Sequence, residues 1–355
     1  MKIREICVLN FGKILGNLHT MKEIYVRVLK KVFAIVLLFS LPTFAQDFSK
    51  VDEIVSNYPK SFSKVEDLAS KINQDFSQEE EKARAIYSWI AFNVKYDVKS
   101  YFSNAVVRPI AYRYRTEAEK SEKQNQIKMD LINKTFKSKL AVCQGYALLF
   151  EHLANLSGLE SEFVSGNAKS SANDIGKLPT QSLHAWNTIK VNGKWKLVDV
   201  TWGAGVVNPQ KRIFVPKFND GYFFTEPDVF ILNHFPDDKK WILGNFSEQD
   251  YANFPFYYGD YVKADFRFIT PQKGIISSKE TNVVPFKISN LDQNDKVFYV
   301  LSSDNKPKVA TLKHNGNITE FDVALTANSD YYLTIFVNQK AVSMYKITRS
   351  KSSAI

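Results

Sequence analysis

Residues 184–203 have the sequence HAWNTIKVNGKWKLVDVTWG. The Asn192-Gly193 pair lies between two apolar-rich runs, and Asn-Gly in that position is the strongest short signal for a two-residue β-hairpin turn. The stretch therefore predicts two antiparallel strands, over residues 184–191 and 194–200.

The predicted register fixes which side chains share one face of the hairpin. His184 would lie opposite Thr201, and Trp186 would lie opposite Asp199. His184 and Asp199 are then diagonal neighbours with Cβ atoms on the order of 7 Å apart, within reach of a hydrogen bond between carboxylate and imidazole. Such a pair either orients a catalytic histidine or ties a strand edge together, and the hairpin alone leaves both interpretations open.

The N-terminal residues show the pattern of a secretory signal. Lys30 and Lys31 precede an apolar run at 32–41, which is followed by a small-residue cleavage site ending at Ala45. The run is too short for a comfortable membrane span, although an uncleaved anchor is the alternative. We therefore expect residues 1–45 to comprise an upstream segment and a signal peptide, with translation starting at Met1 or Met21. The mature protein would be exported, periplasmic or extracellular, with no stable membrane span.

Removal of that segment changes the charge and the cysteine count. Residues 1–45 hold seven Lys/Arg and two Asp/Glu, so the net charge falls from +10 to +5. So small an excess of positive charge, without a dense basic patch, gives no reason to expect a nucleic-acid partner. Cys7 is lost and Cys143 stays as the single thiol. A lone cysteine in an exported chain indicates intermolecular pairing or a reactive thiol, and an inert buried cysteine is the alternative.

Cys143 stands at the start of a predicted helix. An apolar stripe at helical spacing follows it, and Gly158 is placed to end the helix. Unpaired N–H groups and the helix dipole at an N-terminus favour a thiolate, and a partner imidazolium activates it further. The backbone N–H of Cys143 is a natural donor to an oxyanion. Cys143, His184 and Asp199 together therefore suit acyl transfer through a thioester, completed by water or an amine.

Three motifs carry a resemblance to a known family. Residues 142–147 (VCQGYA), 184–187 (HAWN) and 195–203 (WKLVDVTWG) resemble the nucleophile, histidine and aspartate segments of the transglutaminase-like superfamily. The Thr-Trp-Gly-x-Gly at 201–205 and HFPDD at 234–238 are similar to its kyphoscoliosis peptidase-type branch. Three motifs in the right order make the resemblance specific, and it covers about half of the chain.

The resemblance implies a fold and a set of roles. The fold is α+β, a papain-like or transglutaminase-like core, with Cys143 as nucleophile, His184 as general acid and base, and Asp199 as the residue that orients the histidine. His234 resembles a structural motif of the family and is interpreted as structural. The reaction stays open, because the family includes cross-linkers, peptidases and amidases.

Three further residues are candidates for substrate binding. Gln144 follows the nucleophile, Trp186 shares the predicted catalytic face, and Trp202 follows the aspartate. For the tryptophans, packing in the core is the alternative role. The chain shows no cluster with metal-ligand spacing and no phosphate-binding loop, so we expect no metal and no cofactor.

The chain is long enough for two domains. We expect the signal segment at 1–45, a catalytic domain at 46–255 with a charged insertion at 98–139, and an all-β sandwich-like domain at 260–355. The all-β domain is predicted from short runs of alternating apolar and polar residues, which turn residues separate.

Three functions fit these observations. The first is a peptidase or amidase that acts on protein or peptide substrates through a Cys143 thioester. The second is a protein-glutamine acyltransferase that uses the same three residues and passes the acyl group to an amine. The third is a non-catalytic module that binds protein or cell wall. The sequence does not indicate an oligomeric state.

Overall fold

The computed structural model describes residues 47–103, 113–325 and 330–349. The predicted signal peptide and residues 104–112 of the predicted insertion lie outside the described residues. The helices and strands of these ranges belong to the unit that begins at Ser49. In the described ranges, no helix is both long and apolar enough to cross a membrane.

Three helices open the unit: α1 (Ser49–Ser56), α2 (Val65–Asp75) and α3 (Glu79–Asn93). The third buries apolar residues at helical spacing, among them Ala83, Ile86 and Ile90. Its N-cap is Gln78, whose side chain accepts no hydrogen bond. Arg84 on α3 forms an ion pair with Asp52 on α1 at 2.6 Å and ties the two helices together.

Four elements lead up to Cys143: β1 (Lys95–Tyr96), α4 (Val98–Phe102), α5 (Glu117–Ser138) and β2 (Leu140–Ala141). The long helix α5 forms from the predicted charged insertion, and most of its surface is polar and open to solvent. β1 and β2 pair in parallel with Tyr96 beside Ala141. This short ladder fixes the chain two residues before Cys143.

The helix α6 (Cys143–Leu156) begins at the nucleophile candidate, as predicted. Its N-cap, Val142, supplies no side-chain acceptor to the first turn. The apolar stripe faces the core, where Tyr146, Leu149, Phe150 and Leu153 are all buried. Past the last helical residue, Gly158 has a φ of 81°, the left-handed conformation that commonly terminates helices.

Short elements follow along the chain from α6 to the C-terminal region. They are β3 (Ser161–Ala168), β4 (His184–Val191), β5 (Lys194–Val198), α7 (Val200–Ala204), β6 (Gly205–Asn208), β7 (Ile213–Pro216), β8 (Phe223–Thr225), α8 (Pro227–Phe230), β9 (His234–Pro236) and α9 (Glu248–Asn253). Three 3₁₀ turns lie at Ala172–Asp174, Asp220–Tyr222 and Lys239–Ile242. Five of the strands form one antiparallel sheet in the order β8-β5-β4-β3-β9.

The β4–β5 hairpin has the predicted turn and register. Asn192 and Gly193 both have positive φ, and Val191 pairs with Lys194. The ladder ends earlier than predicted, however, at the pair of Asn187 and Val198. Asp199 caps α7 by accepting a hydrogen bond from the N–H of Trp202, and the chain turns into that helix. The expected pairs of Trp186 with Asp199 and of His184 with Thr201 are therefore wrong.

The C-terminal region consists largely of β-sheet. Its elements are β10 (Phe256–Tyr257), α10 (Gly259–Val262), β11 (Arg267–Thr270), β12 (Ile275–Ser277), β13 (Val283–Ser289), β14 (Val297–Leu301), β15 (Lys308–Val309), β16 (Lys313–Asn315), β17 (Ile318–Ala324), β18 (Tyr331–Val337) and β19 (Lys340–Thr348). One sheet has the order β10-β19-β18-β14-β15, with β12 also on β19, and the other has β11-β13-β17-β16.

The two C-terminal sheets share an apolar core that includes Phe286, Phe321 and Tyr345. Phe286 and Phe321 stack with ring centroids 4.8 Å apart, and Tyr345 meets Phe286 edge-on at 5.4 Å. The α+β core followed by a β-rich region is the predicted fold class. The exact domain limits at 255 and 260 stay predictions.

One buried amide holds the helix of Cys143 against the strand of His184. Asn187 lies in the middle of β4 with no exposed surface. Its Nδ2 donates to the carbonyl of Ala147 on α6 at 3.0 Å and to that of Glu162 on β3 at 3.3 Å. The relative placement of thiol and imidazole therefore depends partly on this side chain.

We expect Asn187→Ala to lower the free energy of unfolding by about 1–3 kcal/mol, since it removes two buried hydrogen bonds and leaves a cavity. The exposed Asn155 on α6 is a matched control, and Asn155→Ala should change stability by no more than roughly 0.5 kcal/mol. Urea unfolding followed by circular dichroism gives both values. Equal effects of the two substitutions would contradict the anchoring role of Asn187.

Candidate active site

His184 and Asp199 lie side by side, as the hairpin geometry predicts. The imidazole Nε2 is 2.7 Å from Oδ2 of the carboxylate. His184 is the first residue of β4, and Asp199 follows the last residue of β5, so the hairpin brings them together although the ladder stops short of them. Asp199 is completely buried, and the side chain of His184 is 8% exposed.

Cys143 belongs to the helix α6, whereas His184 and Asp199 lie at the end of the β4–β5 hairpin. Cys143 lies half-buried at the first position of α6, and its thiol is close enough to the imidazole of His184 to help raise the pKa of that ring. Because Nε2 of His184 is taken by Asp199, Nδ1 is the atom that remains for the sulfur. The structure thus brings His184 and Asp199 into direct contact, with Cys143 near them at the start of α6, and the catalytic roles of the three residues stay predictions.

The carboxylate controls the charge of the imidazole. Burial alone would lower the pKa of His184, but the charge and hydrogen bond of Asp199, helped by Cys143, raise it to about 10. Burial likewise opposes the charge on Asp199, yet His184 and a second histidine hold the pKa of that carboxyl well below its usual range. His184 is therefore an imidazolium at neutral pH.

The raised pKa of His184 has a consequence for stability. Below the unfolded-state value of about 6.5 the imidazolium stabilises the fold fully. That contribution is lost as the pH rises through about 10. Asp199 has the opposite effect, because its pKa is lowered in the folded protein. Its carboxylate stabilises the fold at every pH above the ordinary pKa of an aspartate, and this contribution is lost in strong acid.

His234 is a second imidazole on the same carboxylate. Its Nε2 lies 3.0 Å from Oδ2 of Asp199, and the side chain is 1% exposed. The sequence could not reveal this contact, because it depends on the pairing of β9 with β3, two strands far apart in the chain. The sequence predicts a structural role for His234, and the geometry shows in addition a direct bond to Asp199.

The two predicted tryptophans surround the histidine rings. Trp202 is half-buried, with its ring centroid 5.2 Å from that of His184 and 4.4 Å from that of His234. Trp186 is only 1% exposed and packs against Val164, Leu197 and Phe230. Trp202 therefore has surface that a substrate can reach, whereas Trp186 supports the rings from beneath and has no open face.

Gln144 and Tyr96 are two further residues near Cys143. Gln144 is half-buried in the first turn of α6, next to Cys143. Tyr96 is placed by the β1–β2 ladder, and its ring centroid is 6.4 Å from that of Tyr146, one turn beyond Cys143. Burial and the charges of Cys143 and other neighbours raise the pKa of Tyr96, so its hydroxyl keeps its proton. Sequence reasoning missed this tyrosine because a two-residue parallel ladder leaves no periodic pattern.

Possible metal ligands in the described part of the chain comprise one group, His184, Asp199 and His234, whose ligand atoms lie within 4.8 Å of one another. Both imidazole Nε2 atoms are at hydrogen-bond distance from the same carboxylate oxygen. Hydrogen bonds thus account for the cluster, and we do not assign it to a metal. The expected absence of a metal and of a cofactor stays a prediction.

Comparison with known proteins agrees with the motifs. Residues 66–200 match the model of the transglutaminase-like superfamily. Kyphoscoliosis peptidase of Mus musculus is 34% identical over 163 residues, which cover 46% of this chain and 22% of that protein. Hillarin of Drosophila melanogaster is 24% identical over 227 residues, 55% of this chain and 27% of that protein. The chain thus spans about a quarter of the length of these relatives.

Among solved structures, the crystal structure of a TGase is similar to this chain with a TM-score of 0.27. It is 18% identical in sequence, over 56% of this chain and 43% of that chain.

We expect Asp199→Asn to lower the pKa of the His184 imidazole from about 10 by roughly one to three pH units, because the carboxylate charge is lost. An NMR titration of ¹⁵N-histidine-labelled protein measures this directly. Asp260→Asn, which removes a surface ion pair with Lys217, is the control and should leave the value unchanged. An unaltered His184 titration in Asp199→Asn would show that the carboxylate does not control the imidazole.

Proposed function

The chain carries a transglutaminase-like domain at residues 66–200, as its motifs predict, and on that premise we propose that it is a thiol enzyme. It cleaves amide bonds of proteins or peptides, as a peptidase or amidase. The observation that carries this proposal is the imidazole of His184, held by Asp199 at 2.7 Å and lying near the thiol of Cys143. The name of the mouse relative, a peptidase, points the same way.

The first half of the reaction acylates the enzyme. The sulfur of Cys143, as thiolate, attacks the carbonyl carbon of the substrate and forms a carbon–sulfur bond. The negative charge that develops on the carbonyl oxygen is met by the backbone N–H of Cys143 and by the positive end of the α6 dipole. The imidazolium of His184 then gives its Nδ1 proton to the departing amine, the carbon–nitrogen bond breaks, and a thioester remains.

The second half releases the acid. The neutral imidazole of His184 takes a proton from a water molecule, whose oxygen attacks the thioester carbonyl. The carbon–sulfur bond breaks, the acid leaves, and thiolate and imidazolium are restored. Asp199 stabilises the imidazolium in both halves and keeps Nε2 protonated, so that Nδ1 always faces the sulfur. A primary amine in place of the water would make the same residues a protein-glutamine acyltransferase.

We expect Cys143→Ala and His184→Ala each to lower the turnover of a fluorescently quenched protein substrate at least roughly 10³-fold. His314→Ala is the matched control, since His314 lies on the exposed strand β16 with its imidazole bonded to Thr319 at 3.0 Å. Turnover in the control should equal that of the unmodified chain.

Two other assays separate the alternatives. Covalent incorporation of a labelled primary amine into a protein substrate, dependent on Cys143, would replace hydrolysis by acyl transfer as the function. Full activity in a cell-wall or protein-binding assay by the Cys143→Ala variant would instead favour the non-catalytic module.

We propose further that the enzyme works outside the cytoplasm, which is supported by the charged start, the short apolar run and the small-residue site before Gln46. Expression of the whole chain in a bacterial host with a secretory pathway should yield an exported product whose intact mass corresponds to a chain starting at Gln46. An uncut chain that stays in the membrane fraction would show an anchor instead.

A further inference from the structure

We propose that His234 is a positioning residue of this site, which fixes the carboxylate of Asp199 by donating its Nε2–H to Oδ2. The proposal deepens the proposed function and rests on it, because Asp199 matters for catalysis only if His184 acts on the thiol. The hydrogen bond from His234 to Asp199 can, however, be tested by a measurement that requires no enzymatic activity.

Asp199 accepts three hydrogen bonds from three different elements. His184 Nε2 and His234 Nε2 reach Oδ2 at 2.7 and 3.0 Å, and the backbone N–H of Trp202 reaches Oδ1 at 3.0 Å. A fully buried carboxylate needs such donors, since burying an unpaired charge is very costly. Removal of any one of the three therefore leaves the carboxylate less well compensated and freer to rotate about its terminal torsion.

The position of the proton on His234 follows from its two acceptors. Nε2 faces the negative oxygen of Asp199, while Nδ1 lies 3.3 Å from the neutral carbonyl oxygen of Phe230. With the hydrogen on Nδ1, the lone pair of Nε2 would face the negative carboxylate in a buried site. That repulsion is stronger than the one between a lone pair on Nδ1 and the neutral carbonyl, which arises when the hydrogen is on Nε2. The neutral ring therefore carries its hydrogen on Nε2.

The surroundings of the ring favour that neutral form. Burial lowers the pKa of His234, the positive charge of His184 lowers it further, and together they outweigh the attraction of Asp199. Tyr222 also packs against the ring, and burial raises the pKa of its hydroxyl, so it adds no charge. His234 thus acts as a neutral donor and leaves the positive charge at the site to His184.

Packing aims the donor at the carboxylate. The ring of His234 stacks on Phe230 with centroids 4.0 Å apart and an interplanar angle of 19°, and it lies 4.4 Å from Trp202 and 5.2 Å from Trp186. Its backbone pairs with Ala168 at the edge of the sheet. A ring held on several sides in this way keeps one orientation, which is what a residue that positions another must do.

The experiment compares two substitutions. His234→Leu removes the donor, whereas His234→Gln places a side-chain N–H near the position of Nε2. Turnover is measured per active thiol, counted by covalent titration of Cys143, so that loss of folded protein does not enter the value. We expect kcat of the leucine variant to fall on the order of 10- to 100-fold with KM nearly unchanged, and the glutamine variant to recover most of that loss.

A matched control and an independent measurement keep the test decisive. His314→Leu, at an exposed histidine, should leave kcat per thiol unchanged. Full kcat per thiol in His234→Leu, or equal losses in the leucine and glutamine variants, would overturn the positioning role.

The unmodified protein provides the second measurement. ¹⁵N NMR of its histidines should show Nε2 of His234 protonated and Nδ1 unprotonated at neutral pH. A bare Nε2 would overturn the proposal even if neither variant folds. A protonated Nε2 in a chain without any thiol-dependent activity would uphold the bond to Asp199 while the proposed function fails.

Discussion

The site is organised around one buried carboxylate. Asp199 has no exposed surface, and an ionised group in such a place persists only if hydrogen bonds and an opposite charge replace water. His184 provides the opposite charge at 2.7 Å, and the pair lies near the thiol of Cys143. The surrounding elements place hydrogen-bond donors around this one carboxylate.

Each donor comes from a separate part of the fold. The hairpin brings His184 to Asp199, the start of α7 brings the N–H of Trp202, and the edge strand β9 brings His234. Cys143, the proposed nucleophile, lies on α6, which Asn187 fastens to the same sheet. Thus the core sheet fixes the distances within the site, while Cys143 and Trp202 are only half-buried and keep part of their surface open to solvent.

Local signals were enough to predict much of this arrangement. The Asn192-Gly193 turn determines the hairpin register, and Cys143 before an apolar stripe predicts a helix that begins at the thiol. The error in the hairpin arose where Asp199 gives its side chain to α7 and ends the strand, a competition between capping and pairing that alternation of side chains does not reveal. His234 and Tyr96 depend on strand pairs that a single sequence does not specify, β9 with β3 and β1 with β2.

The most direct test of the central relation is the rate at which a small alkylating reagent modifies Cys143 at pH 6, in the unmodified chain and in His184→Ala. If the imidazole of His184 activates the sulfur, we expect rapid modification that slows at least roughly tenfold when the ring is removed. Equal rates in the two proteins would mean that the imidazole does not act on the sulfur, and the enzyme assignment would fail while the fold would stand.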